Sequence, residues 1–435
     1  MIQLAETDDP TPSAPGRPGG AILFVTDRRF WRRSIGSEQR IASLVAHLAL
    51  SGRRVVVAYV GRIARREREG LKEFTTSLPG LIVLGRGGST RALARSALGS
   101  LRSRLRLGLS NNRPPEAPPI AGRSSPQRRT FVTEMIREHR PAVVIVEFLR
   151  LTYTVFPRND DASSVPRYLI DTHDVLHQRA DRYRAEGAGV THEIEASEEA
   201  RALATYDAIL AIQAKEAELI RGLLPERPVI VVPHGLQIPK LPALAAPPNR
   251  PTRIGFLGGR DEANLRALDW FVEEVWPEIR SEFENRVELR IAGQVCRVWD
   301  RLVEGATRVG VVDSIDAFWP SVDLAINPVR MGSGLKIKNV EALAYGRALL
   351  TTTIGAEGLE QASPNGLRVA DSAADLISIL SDWLADPASA AATGLRGRLH
   401  AECHFSSATA FAALDACLAE TSDTRSEEPS EVDLP

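Results

Sequence analysis

Between Asn327 and Gly346 the chain spaces two loop glycines, a lysine and a glutamate in a way that suits an anionic ligand. Val322 to Ile326 reads as a buried strand, and Asn327 to Gly334 as a turn-forming loop ending in Gly332-Ser333-Gly334. A helix follows, because Ile337, Val340 and Ala344 recur at helical spacing and Gly346 suits its stop. At such a junction free backbone N–H groups and the positive end of the helix dipole converge on one spot, and glycines let a phosphate come close. Lys338, about one turn into the helix, can neutralise phosphate, and Glu341, one turn further, can accept two hydroxyl hydrogen bonds. A nucleoside diphosphate fits this stretch. The local pattern alone leaves open an ordinary strand–helix turn with a solvated Lys and Glu.

A second candidate lies past another strand. Pro141 to Glu147 and Tyr168 to Ile170 read as strands, and Asp171-Thr172-His173-Asp174 follows at the carboxyl edge, where parallel sheets bind ligands. His177 could share a helix face with His173, but Asp171 and Asp174 are in no recognised ligand register, so no metal site is assigned. A structural histidine capping a loop is the alternative. Gly36, in the loop after the strand Ala21 to Val25, is either a turn glycine or a point of close backbone approach. No Gly-x-Gly-x-x-Gly fingerprint is present there, which argues against a tightly held dinucleotide.

These groups need a scaffold, and 435 residues predict two lobes. Short apolar runs alternate with amphipathic helices throughout, the pattern of α/β domains with parallel sheets covered on both faces. The expected organisation is a disordered tail (1–20), a first Rossmann-like lobe (21–240), a Pro- and Ala-rich linker (241–252), a second Rossmann-like lobe (253–420) whose last helix can cross back to the first, and an acidic tail (421–435). An arginine-rich insertion, 86–129, carries Leu98, Leu101 and Leu105 on one stripe bordered by Arg95, Arg102 and Arg106. It is either an interfacial helix for peripheral contact with anionic membrane or a solvated loop. A net charge of -1 gives no global pull toward nucleic acid, and three cysteines without metal-type spacing signal neither a disulfide framework nor zinc. No apolar run is long enough to span a bilayer or serve as a signal peptide, so the expected location is cytoplasmic, any membrane contact being peripheral at the inner face.

From Arg253 to Glu360 the sequence resembles the nucleotide-sugar-binding lobe of glycosyltransferase family 4, of the GT-B fold. The likeness rests on Gly258-Gly259, Trp270-Phe271, Glu274 to Pro277, Ile291-Ala292-Gly293, Gly332-Ser333-Gly334 through Glu341-Ala342-Leu343, Gly346 and Gly355 to Leu359. In the first lobe it rests on Gly36, His173-Asp174 and Val231 to Gly235. The resemblance implies two doubly wound lobes facing across a cleft and a retaining glycosyltransferase that uses a nucleoside diphosphate sugar, with no cofactor and without requiring a metal. The acceptor would be a glycan, lipid-linked or small-molecule hydroxyl, in polysaccharide or glycoconjugate synthesis. Glu341 would hold the ribose, Lys338 and the Gly332–Gly334 amides the diphosphate, and Gly258, Gly259, Arg260 and Arg266 the other donor loop. Gly36 would admit the donor and His173 would contact the sugar near its reacting carbon. Ser333 stands where many members carry a second Glu, in a branch with a Gly-Ser-Gly loop. An inactive nucleotide-sugar-binding partner and a sugar-nucleotide epimerase of the same fold are the alternatives; the latter would need a cleft carboxylate pair, of which the sequence gives no sign.

Overall fold

The structure, a computed structural model, describes residues 20–86, 125–156, 166–190, 193–240, 250–312 and 315–426. The first lobe is built on seven parallel strands, β1 (Ile22–Thr26), β2 (Val55–Tyr59), β3 (Leu81–Gly85), β4 (Val143–Glu147), β5 (Arg167–Asp171), β6 (Ala208–Ala211) and β7 (Val229–Val231), in the order β3-β2-β1-β4-β5-β6-β7. β1, β2 and β4 are buried at every position, as strands covered on both faces must be. The second lobe has six parallel strands, β8 (Thr252–Leu257), β9 (Val287–Ala292), β10 (Ala306–Gly310), β11 (Leu324–Asn327), β12 (Ala348–Thr351) and β13 (Leu367–Val369), in the order β10-β9-β8-β11-β12-β13. Strand order reverses between β1 and β4 and again between β8 and β11, and at each reversal the loops leaving the strand ends splay apart into a crevice. The two crevices face each other.

Six helices matter for the site: α1 (Gly36–Leu50), α2 (Leu176–Ala185), α3 (Glu262–Trp270), α4 (Ile337–Ala344), α5 (Pro387–Phe405) and α6 (Ala412–Ser426). In α1 the buried residues Ile41, Leu44, Val45 and Leu48 form one helical stripe against the first sheet. The chain end is tied to that lobe. After α5 the backbone turns at Ser406, where Leu236 N–H donates to the Phe405 carbonyl (2.9 Å) and Ser407 N–H to the Leu236 carbonyl (3.1 Å). Phe411, Leu414, Cys417 and Leu418 then enter the core of the first lobe beside Ile41 and Leu44. Full burial of one such Phe contributes about 1.5–3 kcal/mol, so the crossing is an integral part of the first lobe.

Several boundaries differ from the sequence reading. The arginine-rich segment ends before 129: Pro126 starts a helix (Pro126–His139) capped by Ser125, whose Oγ accepts from Arg128 N–H at 3.3 Å. Residues 87–124, which carry the leucine stripe, lie outside the described residues, as do the terminal stretches 1–19 and 427–435 and linker residues 241–249. Residues 421–426, expected as tail, continue α6. Among the described residues no helix is long and apolar enough to cross a membrane.

Candidate functional site

A cleft of about 1330 Å³ separates the lobes. The first lobe lines it with the loops after β1, β4 and β5, and the second with the loops after β8 and β9 and the start of α4. Gly36, His173, Gly258, Gly259, Arg260, Ser333, Lys338 and Glu341 all reach this wall.

The loop before α4 depends on its glycines. Gly332 has φ 117° and Gly334 φ 74°, left-handed backbone that side-chain-bearing residues avoid. A Cβ at Gly334 would lie 2.9 Å from Asp174 Oδ1 and 3.0 Å from the His173 carbonyl, so this second-lobe loop is pressed onto the first lobe. Polar contacts hold it there. Ser333 Oγ donates to Asp174 Oδ1 (2.9 Å), and Arg182 of α2 donates to the Gly332 carbonyl (2.8 Å) and to Glu357 (2.8 Å). Lys336 Nζ donates to the Ser333 and Gly334 carbonyls (3.1 and 2.7 Å), and burial holds its pKa below the ordinary range. Ser333→Ala removes one hydrogen bond across the cleft, at about 1 kcal/mol. If the clamped loop is the binding form, nucleoside diphosphate affinity is expected to fall about fivefold, checked by calorimetry; unchanged affinity would remove the Ser333–Asp174 contact from the binding form.

Lys338 and Glu341 project from the next turn of α4. Lys338 Nζ donates to Asn264 Oδ1 (2.6 Å) and lies 4.8 Å from the Phe256 ring centroid, and burial pulls its pKa down to about 7. Glu341 is 1% exposed; its Oε2 accepts from Trp319 Nε1 (3.4 Å), and burial pushes the carboxyl up to about 8. Its other oxygen, Oε1, has no hydrogen-bond partner among the described residues. Leaving such an oxygen unpaired costs about 1–3 kcal/mol, which a ligand hydroxyl reaching it from the cleft would recover. Gly36 opens α1 directly opposite: a Cβ there would be 3.3 Å from Ile337 Cδ1, so its lack of a side chain lets the two helix N-termini meet at the cleft.

The loop after β8 is tight as well. A Cβ on Gly258 would be 2.6 Å from the Phe256 ring and one on Gly259 2.6 Å from Asp261 Oδ2. Arg260 is exposed on the cleft wall. Arg266 does not join it. It lies on the outer rim, donating to the Glu186 and Gly187 carbonyls (2.6 and 3.1 Å) and to Glu262 (2.5 Å), because its place on α3 faces the first-lobe turn after α2 instead of the cleft.

His173 stands in an array that sequence reading missed. Its φ is 63°, and Phe148, at the end of the neighbouring strand, has φ 75°; such backbone costs about 1–3 kcal/mol per residue and persists where its surroundings enforce it. The two rings stack, with centroids 3.8 Å apart and planes 14° off parallel. The Arg150 guanidinium lies 3.7 Å from the same Phe148 centroid, and two groups that close cannot share a face, so Phe148 is sandwiched between them. Behind the histidine, Glu147 Oε2 is 2.6 Å from Nε2. Burial pulls His173 down to about 3, while burial and the neighbouring Asp171 push Glu147 well up. Both shifts disfavour charge on the pair, and a Glu147 carboxyl that keeps its proton can donate to Nε2, leaving the ring N–H on Nδ1. Glu147, Asp171 and His173 bring three potential metal-ligand atoms within 4.8 Å of one another. Arg40, fully buried, already donates to both Asp171 oxygens (2.8 and 2.9 Å), a fixed cation where an ion would otherwise balance the charge. His177 turns away to Glu199 (2.7 Å).

Residues 251–386 match the family model described as glycosyl transferases group 1. No curated protein matches the chain in sequence. Among solved structures, a sucrose-phosphate synthase from Thermosynechococcus elongatus is 13% identical with a TM-score of 0.64, the match covering 94% of this chain and all of the other. TarM, known from S. aureus, is 9% identical with a TM-score of 0.67 over 92% of this chain and 98% of its own. Anabaena HepE, solved with UDP-glucose, is 13% identical with a TM-score of 0.59 over 93% of this chain and 99% of its own. The second lobe is thus matched as a group 1 glycosyl transferase domain, and the whole chain has the GT-B glycosyltransferase fold.

Proposed function

We propose that this protein is a retaining glycosyltransferase of family 4 type that moves a sugar from a nucleoside diphosphate sugar to a hydroxyl of a glycan, lipid-linked or small-molecule acceptor. The observation that carries this reading is the unpaired, buried Oε1 of Glu341, one turn beyond Lys338 at the cleft, after the left-handed Gly332–Gly334 loop whose Ser333 lines the same cleft. Glu341 takes the ribose hydroxyls, Lys338 and the loop take the diphosphate, and the sugar lies toward His173. Ser333 leaves a side-chain carboxylate missing from the loop, and Asp174, bonded to it from the first lobe, sets one beside that position.

In the reaction the anomeric carbon–oxygen bond to the diphosphate breaks, and the acceptor oxygen bonds to that carbon on the same face. The acceptor proton passes to the departing phosphate. Negative charge grows on the diphosphate as it leaves, where the loop amides and Lys338 are already in place to stabilise it. The clamped lobes exclude competing water. An epimerase would need carboxylates facing the cleft. Of the carboxylates that line it, Glu38, Asp174 and Asp261 already accept hydrogen bonds from Ser34, Ser333 and Asn264, and the close pair Glu147 and Asp171 is fully buried behind His173, with Asp171 held by Arg40.

The test is a thermal-shift series with UDP-, GDP-, ADP- and dTDP-sugars and the free diphosphates, with and without magnesium. A donor at a hundred times its dissociation constant adds about 2.7 kcal/mol to the stability of the folded state. Selective stabilisation by one donor is expected. No shift with any nucleotide would overturn the proposal, and binding without turnover across acceptors would favour an inactive nucleotide-sugar-binding partner.

A further inference from the structure

Lys336 holds the loop before α4 from the inside. Its side chain is 12% exposed, and Nζ donates to two consecutive carbonyls of that loop, those of Ser333 (3.1 Å) and Gly334 (2.7 Å). Two of the three ammonium hydrogens are thereby taken, and the third is left to the ion pair with Glu357, whose Oε2 lies 3.6 Å from Nζ. The charge of this lysine is satisfied within the fold. It has no hydrogen left for a ligand.

Holding those carbonyls decides where the loop's own donors point. In a planar trans peptide the N–H points opposite to the carbonyl, so drawing the Ser333 and Gly334 carbonyls to one nitrogen turns the N–H groups of Gly334 and Leu335 away from it. Gly334 takes positive φ and Ser333 does not, the alternation by which successive N–H groups form an anion-binding concavity. Neither N–H has an acceptor among the described residues. Glu357, and Arg182 bonded to it, stand outside the cleft lining, whereas Ser333 and Leu335 are part of it. The two N–H groups are therefore turned from the Glu357 side toward the cleft. Without that hold, Gly332 and Gly334 would leave the loop free to sample many shapes.

We infer that Lys336 is a positioning residue: it fixes the Gly334 and Leu335 N–H groups as a nest for the phosphate farther from the ribose, and it does not itself touch the ligand. This deepens the glycosyltransferase reading and rests on it for the identity of the anion. The order along α4 selects the phosphate. With the ribose on Glu341 and Lys338 one turn nearer the loop, the N–H pair meets the outer phosphate, the one that carries the sugar and takes up charge as the bond breaks. Lys338 supplies charge there, and Lys336 supplies geometry.

The experiment uses the full chain and compares the unaltered protein with Lys336→Met, which keeps the aliphatic stem and removes the ammonium. UDP, GDP, ADP and dTDP are each titrated beside the matching monophosphate by calorimetry, and hydrogen–deuterium exchange is followed over residues 332–336. The expected result is that Lys336→Met weakens the diphosphate that binds at least about tenfold and its monophosphate no more than about twofold. Saturating diphosphate should slow exchange over 332–336 in the unaltered protein, monophosphate should not, and in Lys336→Met neither should. Undiminished diphosphate affinity in Lys336→Met overturns the inference. Equal losses for both nucleotides overturn it as well, since general damage to the fold would act on both. Diphosphate protection of 332–336 in Lys336→Met would show that the nest forms without the lysine, which also overturns it. The exchange measurement on the unaltered protein needs no variant to fold, and absence of diphosphate protection there rejects the nest by itself. If no diphosphate binds the unaltered protein, the glycosyltransferase reading fails and this inference falls with it.

Discussion

His173→Ala is expected to lower sugar-transfer turnover about 10²–10³-fold while nucleoside diphosphate affinity stays within about twofold. The affinity expectation follows from position: in the proposed complex the diphosphate meets the second-lobe loop and α4, and His173 approaches that loop through its backbone carbonyl near Gly334, which alanine keeps. The turnover expectation follows from how much structure serves one ring. Two residues of left-handed backbone, a stacked Phe148 and a buried carboxyl fix an uncharged imidazole at the cleft. With its pKa pulled down to about 3, the ring does not titrate between about pH 5 and 9, so turnover should show no His173 limb in that range. Glu147 offers the discriminating variants. In Glu147→Gln the amide N–H can still donate to Nε2 and keep the N–H on Nδ1, so turnover should stay within about tenfold of the unaltered enzyme. Glu147→Leu removes that donor and should approach the His173→Ala level, since about 10²-fold follows from loss of orientation alone. Single-turnover kinetics at saturating donor would check both, and wild-type turnover in His173→Ala would reject the histidine as a contact of the reacting sugar.

What the sequence discloses and what it hides divide along a physical line. Gly332 and Gly334 are legible because left-handed backbone at a strand–helix junction needs glycine, and Lys338 and Glu341 because helical spacing carries them to one side of one helix. His173 is legible as a polar residue just past an apolar strand. Each of these signals is local in the chain. The array behind His173 is not. Glu147 and Asp171 are register partners across β4 and β5, and Arg40 comes from α1, 131 positions before Asp171. Their signals are faint: an acid closing each of two apolar strands, and an arginine on the buried stripe of a helix. Arg266 shows the converse error, since a basic residue at a plausible spacing on α3 points at the neighbouring lobe's carbonyls. Helical spacing places a side chain on a face, and only the docking of the lobes says what that face meets.

Lys338 and Glu341 should together make donor affinity bell-shaped in pH, with a maximum near about pH 7.5. In the free protein burial holds Lys338 at about 7 and Glu341 at about 8, so between these values each is poised against the charge it would carry alone. The bound diphosphate needs Lys338 protonated, and ribose hydroxyls need Glu341 as a carboxylate that accepts from both. Below about pH 7 the lysine is charged but Glu341 must give up a proton for the ligand to bind, so affinity falls about tenfold per pH unit of acidification. Above about pH 8 the carboxylate is present but Lys338 must take up a proton, so affinity falls about tenfold per unit in the other direction. Each variant should remove one limb. Lys338→Met should weaken binding about 10- to 100-fold at neutral pH and leave affinity flat above about pH 8, and Glu341→Gln should weaken it similarly and leave affinity flat below about pH 7. Calorimetry in buffers of different ionisation enthalpy reads the same linkage directly, as net proton release on binding at about pH 6 and net uptake at about pH 9. A flat affinity profile across that range in the unaltered protein would show that neither group changes its proton on binding, and would remove both from contact with the donor.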